Sequence, residues 1–300
     1  MATASPGTKA TAVGRSTRDD GRRKRPARNN GGRGSVWRVL ICLAVPLTFL
    51  LAWEWAGQAK ALANGLFPPI STGFFAFLDW IFNQSGEDGL VPQSIYSGSW
   101  LTHVGASISR ILTGFGIGAV LAVILGISGG VSSLVRGAVD PMISSIRPIS
   151  ITAWVPLTLV IFGIGNSPAI FLTALASFFP IYVNTLDGAK SVSLQLIRAA
   201  EMLGANRREV ITRVVLPAAL PSIVTGLRVA IAIAWTTVVI AEMLGAKSGL
   251  GYVLIDSYNQ FRFDYVIAGM ISLGAMGFLT EKGLKLLFAH PLRWVSKSAR

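Results

Sequence analysis

Two glycine-rich stretches have the residue types that cradle phosphates. Residues 114–119, GFGIGA, fit the G-x-G-x-x-A spacing of a dinucleotide loop, and residues 245–249, GAKSG, end as a triphosphate-binding loop ends. Neither has the context its chemistry needs. A dinucleotide loop follows a strand and opens a helix within a strand–helix–strand unit, whereas GFGIGA lies inside a long apolar run. A triphosphate loop reads G-x-x-x-x-G-K-[ST], and here Ala246 precedes Lys247 with no glycine at the first position. The two histidines, His103 and His290, fall far apart, and there is no His-Glu-x-x-His, so neither metal nor hydrolytic chemistry is supported. The expectation is a chain with no catalytic residue, no metal and no bound cofactor of its own.

The elements that would position any remaining functional side chain follow from composition. Of 300 residues, 52% are hydrophobic and 14% charged, too few charges to cover a soluble globule of this size. A helix needs about 20 apolar residues to cross ~30 Å of hydrocarbon. Six runs meet that need, at 36–57, 104–128, 140–163, 167–187, 222–245 and 264–288. The alternation of a β-barrel span is absent. The expected fold class is therefore all-α and polytopic, one transmembrane domain over residues 36–300. The first run holds the only cysteine, Cys42, and ends WEWAGQ; its length reads as a retained anchor rather than a cleaved leader.

Charge sets the topology. Ten of the 27 Lys and Arg fall within residues 1–38, five between Lys190 and Arg213 and five from Lys282 to Arg300, while residues 58–101 carry only Lys60. Cytoplasmic segments are enriched in Lys and Arg, so both termini and the segment at 188–221 are expected inside. Residues 1–35 have almost no large apolar side chains and read as a disordered basic tail, where RRKRPAR meets anionic lipid head groups rather than nucleic acid. Outside, PPISTGFFAFLDWIF is too short to span and suggests a helix in the interface, ended by NQSGEDG. Within the second run, Gly114, Gly118, Ala122 and Gly126 recur every four residues, a smooth ridge for close helix packing.

Ionisable residues at membrane depth are costly and become functional candidates. Arg147, about two turns into the third run, either meets an anion in transit or caps a carbonyl or acid at the inner boundary. Glu242, near the outer end of the fifth run, either lines the mouth or holds Arg110 or Lys247. Trp154 and Pro156 of the third run, with Trp235, Thr236 and Thr237 of the fifth, are candidate path-lining residues, packing being the other reading of a mid-helix tryptophan.

Between the fourth and fifth runs lies RAAEMLGANRREVITRVVLPAALPSIVTGLR, residues 198–228. Leu194–Asn206 carries an apolar stripe that ends at Gly204, able to take the positive φ that closes a helix. Val210, Ile211, Val214 and Val215 resume the pattern before Pro217 and Pro221, which are expected to break or kink the chain. A surface helix-turn-helix results.

The order R-A-A-x-x-x-G-x9-V-x-L-P, from Arg198 to Pro217, closely resembles the E-A-A-x-x-x-G-x9-I-x-L-P loop of ATP-binding-cassette importer permeases. RPISITAWVPLTLVIFGIG, PAALPSIVTGLR and WTTVVIAEMLGAKSGLGYVL resemble the permeases for nitrate, sulfonates, taurine and bicarbonate, over about residues 95–290. The resemblance implies a type I importer permease fold in the bacterial inner membrane. It implies a coupling helix for the ATPase made of Arg198, Ala199, Ala200, Glu201, Leu203, Gly204, Ala205, Arg207, Arg208, Leu216 and Pro217. It also implies cytoplasmic ATPase subunits that carry ATP and Mg, a second permease copy and an external solute-binding protein. Arg198 departs from the pattern by standing where the family has an acid. The alternative is a self-sufficient carrier or channel for a small anion, which would need its own ion-coupling site.

Overall fold

Helices are the regular elements of the computed structural model, which describes residues 33–59, 68–83 and 94–289, with side chains from Ala44 onward in the first helix. The basic tail through Gly32, Lys60, most of the NQSGEDG turn and His290 lie outside the described residues. The chain divides into two units, residues 1–49 and 50–300. Helix α1 (Arg33–Gln58) contains Pro46, and within the first unit the Thr48 hydroxyl donates to the Ala44 carbonyl at 2.9 Å. In the second unit its last turns meet α2 (Ile70–Phe82), where Glu54 accepts from Ser71 N–H at 3.1 Å and Ser71 Oγ at 2.7 Å. A carboxylate there satisfies donors that the start of α2 leaves open.

The remaining helices are α3 (Trp100–Val131), α4 (Ser133–Ile146), α5 (Val155–Phe162), α6 (Asn166–Lys190), α7 (Leu194–Met202), α8 (Arg207–Glu209), α9 (Leu216–Gly245), α10 (Leu250–Asn259) and α11 (Phe263–Ala289). Among the described residues, four helical runs are long and apolar enough to cross a membrane, at 100–131, 166–190, 207–245 and 263–288. The third expected span, 140–163, is not one continuous helix. It is the pair α4 and α5, bent by 86°. Pro148 has no N–H with which to extend α4, a 3-10 turn over Ile151–Trp154 follows, and Pro156 opens α5, where a missing N–H costs nothing.

The expected break at Pro217 and Pro221 is also corrected, because the helix runs unbroken for 39 residues from Arg207 to Gly245. A π-helical stretch over Val210–Val215 explains how. Leu216 N–H reaches back five residues to the Ile211 carbonyl, and the widened turn accommodates the Pro217 ring.

Helix α6 is gripped from both sides by backbone. On α3, a Cβ at Gly114 would stand 2.6 Å from the Ile170 carbonyl oxygen and one at Gly126 would stand 2.7 Å from Thr185 Cβ, while Gly118 rests on Ala174. On the other side, Gly188 of α6 faces Ser222, and Gly226 of α9 faces Asn184 and Ile181. Apolar transfer gives helices no reason to associate inside lipid, so contact this close supplies dispersion where bulk hydrophobicity cannot. Two apolar clusters fill the bundle, one around Trp80, Ile111, Leu172, Val238 and Tyr265, the other around Ile127, Tyr182, Leu186, Val215 and Ile223.

Between α2 and α3, Tyr96 donates to Asp256 of α10, and Ser97 Oγ donates to Asp79 at 2.6 Å. Burial and the Asp256 carboxylate push the Tyr96 phenol well above its ordinary range, so it remains a donor at any physiological pH.

Gly118→Leu is expected to force α3 off α6 and cost about 1–3 kcal/mol. Gly116→Leu, whose Cβ meets open space, should leave stability unchanged. Thermal unfolding of the two purified variants beside the unaltered chain checks this, and equal midpoints would refute the ridge.

Candidate functional site

The turn after α6 is built from two interlocking caps. Ser193 caps α7, and Gly204 at φ +85° ends it. Ala205 N–H bonds the Ala200 carbonyl at 3.1 Å and Gly204 N–H bonds the Glu201 carbonyl at 3.0 Å. That pair of bonds, six-to-one and five-to-two, is how a left-handed residue satisfies the last carbonyls of a helix. It accounts for the Ala-Ala-x-x-x-Gly spacing: Gly204 supplies the φ, and Ala200 and Ala205 are small where the two bonded residues approach. Asn206 then starts the next helix through a reciprocal box, its Oδ1 accepting from Glu209 N–H and its own N–H donating to Glu209 Oε2, each at 3.0 Å. The Asn-Arg-Arg-Glu stretch carries this capping signal in the sequence, beyond the helix end expected at Gly204.

The turn has two faces. Ile197, Ala200, Ala205 and Ile211 pack on the cluster that contains Leu186, Val210 and Val215. Met202 and Leu203 project from the opposite face, 82% and 88% exposed, amid exposed Arg198, Ala199, Glu201, Arg207 and Arg208. Leu216 is half-buried and Pro217 exposed at the root of α9, away from the tip. Because α8, the π stretch and α9 are one helix, the capped turn at 203–206 leads directly into the helix that packs on α6.

At the other end of α9 lies a buried polar cluster. Glu242 and Arg110 are 0% and 2% exposed, and Arg110 Nη1 meets Glu242 Oε1 at 2.6 Å. Ser107 Oγ donates to the same carboxylate at 2.8 Å and accepts from Leu250 N–H at 2.9 Å, and Gly251 N–H donates to Glu242 Oε2 at 2.9 Å. The guanidinium also donates to Asn166 Oδ1 at 2.7 Å and to the Ser248 carbonyl at 2.6 Å. One ion pair thus ties α3, the start of α6, the end of α9 and the start of α10. Glu242 is buried, and its ion-pair partner is Arg110 rather than Lys247.

The other path candidates separate. Arg147 is the exposed C-cap of α4 at the bend, not a residue two turns inside a span. Pro156 and Thr236 are exposed, and Trp154 is half-buried with its indole N–H enclosed and unpartnered. Trp235 is turned into the bundle, where its Nε1 donates to Thr280 of α11 at 2.8 Å. Thr237 is buried beside a small cavity with Ile151, Val155 and Leu172. Among the described residues no three His, Cys, Asp or Glu side chains come together as a metal site requires.

Arg110→Met should leave the Glu242 carboxylate buried and uncompensated and cost about 3–5 kcal/mol, whereas Arg110→Met with Glu242→Leu should recover most of it. Unfolding midpoints of the single and double variants measure both, and a double variant no more stable than the single one contradicts the assignment.

Residues 114–287 match the family model described as binding-protein-dependent transport system inner membrane component. The chain is 38% identical to the taurine transport system permease protein of Escherichia coli, over 86% of this chain and 90% of that one. It is 30% identical to the bicarbonate transport system permease protein of Synechococcus elongatus, over 91% and 98%. Its fold is similar to a chain of the MetNI methionine ABC transporter in an inward-facing crystal form, with a TM-score of 0.56 and 19% identity over 64% of this chain and 96% of that chain.

Proposed function

The chain belongs to the family of binding-protein-dependent transport system inner membrane components, and on that premise we propose that it passes a small oxyanion and takes its drive through residues 198–208. It is a permease subunit of an ABC importer, which sets aside a self-sufficient carrier or channel. Taurine presents a sulfonate and bicarbonate a carboxylate-like group, and the relatives named for them support an oxyanion of that size, nitrate included, as the solute.

In this reading both termini and the α7 tip face the cytoplasm, where ATPase subunits hold ATP and Mg. This chain catalyses nothing itself and pairs with a second copy, so that the path runs between the two. An external binding protein delivers the solute. Arg147, Pro156 and Thr236 are the candidate contacts along the path, as the exposed members of the set proposed from the sequence.

The observation that carries the proposal is the exposed Met202–Leu203 tip on a doubly capped turn that opens directly into the unbroken helix from Arg207 to Gly245. An apolar tip that protrudes this far needs a groove to cover it, and a rigid joint passes displacement of that groove to the bundle. Closure of the ATPase dimer would then rock α9, with α6 and α3 gripped to it, by rigid-body motion.

Gly204→Asp tests the coupling role. The left-handed backbone costs aspartate about 1–2 kcal/mol, too little to unfold the bundle, while a carboxylate enters the tip. The complex should lose ATP-driven uptake and shed ATPase on purification, with the permease still folded. Uptake at the unaltered rate would overturn the role.

A further inference from the structure

Charge around the tip is net positive, with three exposed arginines against one exposed glutamate, Glu201. Arg198, Arg207 and Arg208 are exposed, and among the described residues none of them makes a salt bridge or hydrogen bond through its guanidinium. The two acids of the turn are unequal. Glu209 is engaged by the Asn206 box and lies 3.6 Å from Arg213, which leaves Glu201 as the acid of the turn that faces out. Arg198 precedes Met202 by four residues, so the guanidinium and the apolar tip share the outer face of α7, opposite Ile197 and Ala200, which turn to the core. The surface is an apolar knob with a net positive rim of Arg198, Arg207 and Arg208 around one acid, Glu201.

We infer that the groove on the partner ATPase is apolar at its floor and acidic at its rim, with a carboxylate opposite Arg198. This rests on the docking role proposed above and adds the chemistry of the partner. An apolar floor covers Met202 and Leu203. An acidic rim compensates three guanidinium groups that the permease leaves without partners, and guanidinium pairs with carboxylate in a two-bond fork that also sets orientation. The resembled loop carries glutamate at this position, so the contact is inverted in sign here, and an ATPase suited to a glutamate would meet Arg198 with a like charge. Complementary rim charges govern encounter and partner choice more than raw affinity. Arginines that served only membrane topology would be indifferent to the sign of the groove.

The experiment uses the full-length permease in nanodiscs and its purified ATPase, with affinity measured at about 0.1 M and about 1 M salt, where the Debye length is about 10 Å and about 3 Å. Arg198→Glu should weaken binding about ten-fold at low salt and about two-fold or less at high salt, with Arg198→Gln between it and the unaltered chain. Lys247→Glu, the same charge change beside the Arg110 cluster, should bind as the unaltered chain does. Arg198 is exposed, so an unchanged unfolding midpoint confirms that the variants are folded. Binding by Arg198→Glu that equals or exceeds the unaltered chain overturns the inference, and so does a loss that persists in full at high salt. Gly204→Asp in the same assay separates the two levels. If it too binds normally, the docking role fails; if it alone is lost, the docking role stands and the acidic rim is wrong.

Discussion

Helix α6 is held at backbone distance by α3 on one side and α9 on the other, and the rest of the bundle depends on that double contact. Lipid tails are as apolar as leucine, so burial of apolar surface cannot drive these helices together. The small residues do so by removing the side chains that would keep backbones apart. Gly114, Gly118 and Gly126 on α3, Gly188 on α6 and Gly226 on α9 each stand where a Cβ would strike the neighbouring helix. Three helices in such contact form one closely packed body, because each backbone rests directly on its neighbour.

Both ends of α9 extend that body. At one end the helix continues through the π stretch into the capped turn, so the tip cannot bend without breaking either the Asn206–Glu209 box or the two bonds closed at Gly204. At the other end Glu242 is clamped by Arg110, Ser107 and the Gly251 N–H. A buried ion pair is weak evidence for stability, since desolvation offsets much of its attraction. Its value here is registration, since four elements meet at one carboxylate and one guanidinium whose polar partners lie on different helices. The helix from Arg207 to Gly245 is therefore a rod anchored at both ends.

Much of this was legible because it is local. The apolar runs, the four-residue glycine ridge and the Ala-Ala-x-x-x-Gly spacing each express a constraint between residues close in the chain, and local constraints leave periodic marks. The Asn206–Glu209 box was equally local and went unread. The prolines were visible but their effect was not. Pro148 and Pro156 divide α4 from α5 at 86°, whereas Pro217 and Pro221 sit inside an unbroken helix. The difference lies in neighbouring hydrogen bonds, since a π turn absorbs the missing donor in one place and a 3-10 turn changes direction in the other.

The sequence by itself determined the class of protein, its long apolar runs and the turn closed at Gly204, because these follow from transfer energy over about 20 residues and from caps that close within six. Only the tertiary structure decided which groups meet. Glu242 had two cationic candidates, and Arg110 holds it from 132 positions away because α3 and α9 run side by side. Trp235 and Thr236 are adjacent in the chain, yet one is turned to Thr280 and the other to the outside, since a single step along a helix rotates a side chain by about 100°. A sequence shows that periodicity but not its phase against neighbours, and the phase is set by which faces of α3, α6 and α9 are small enough to touch.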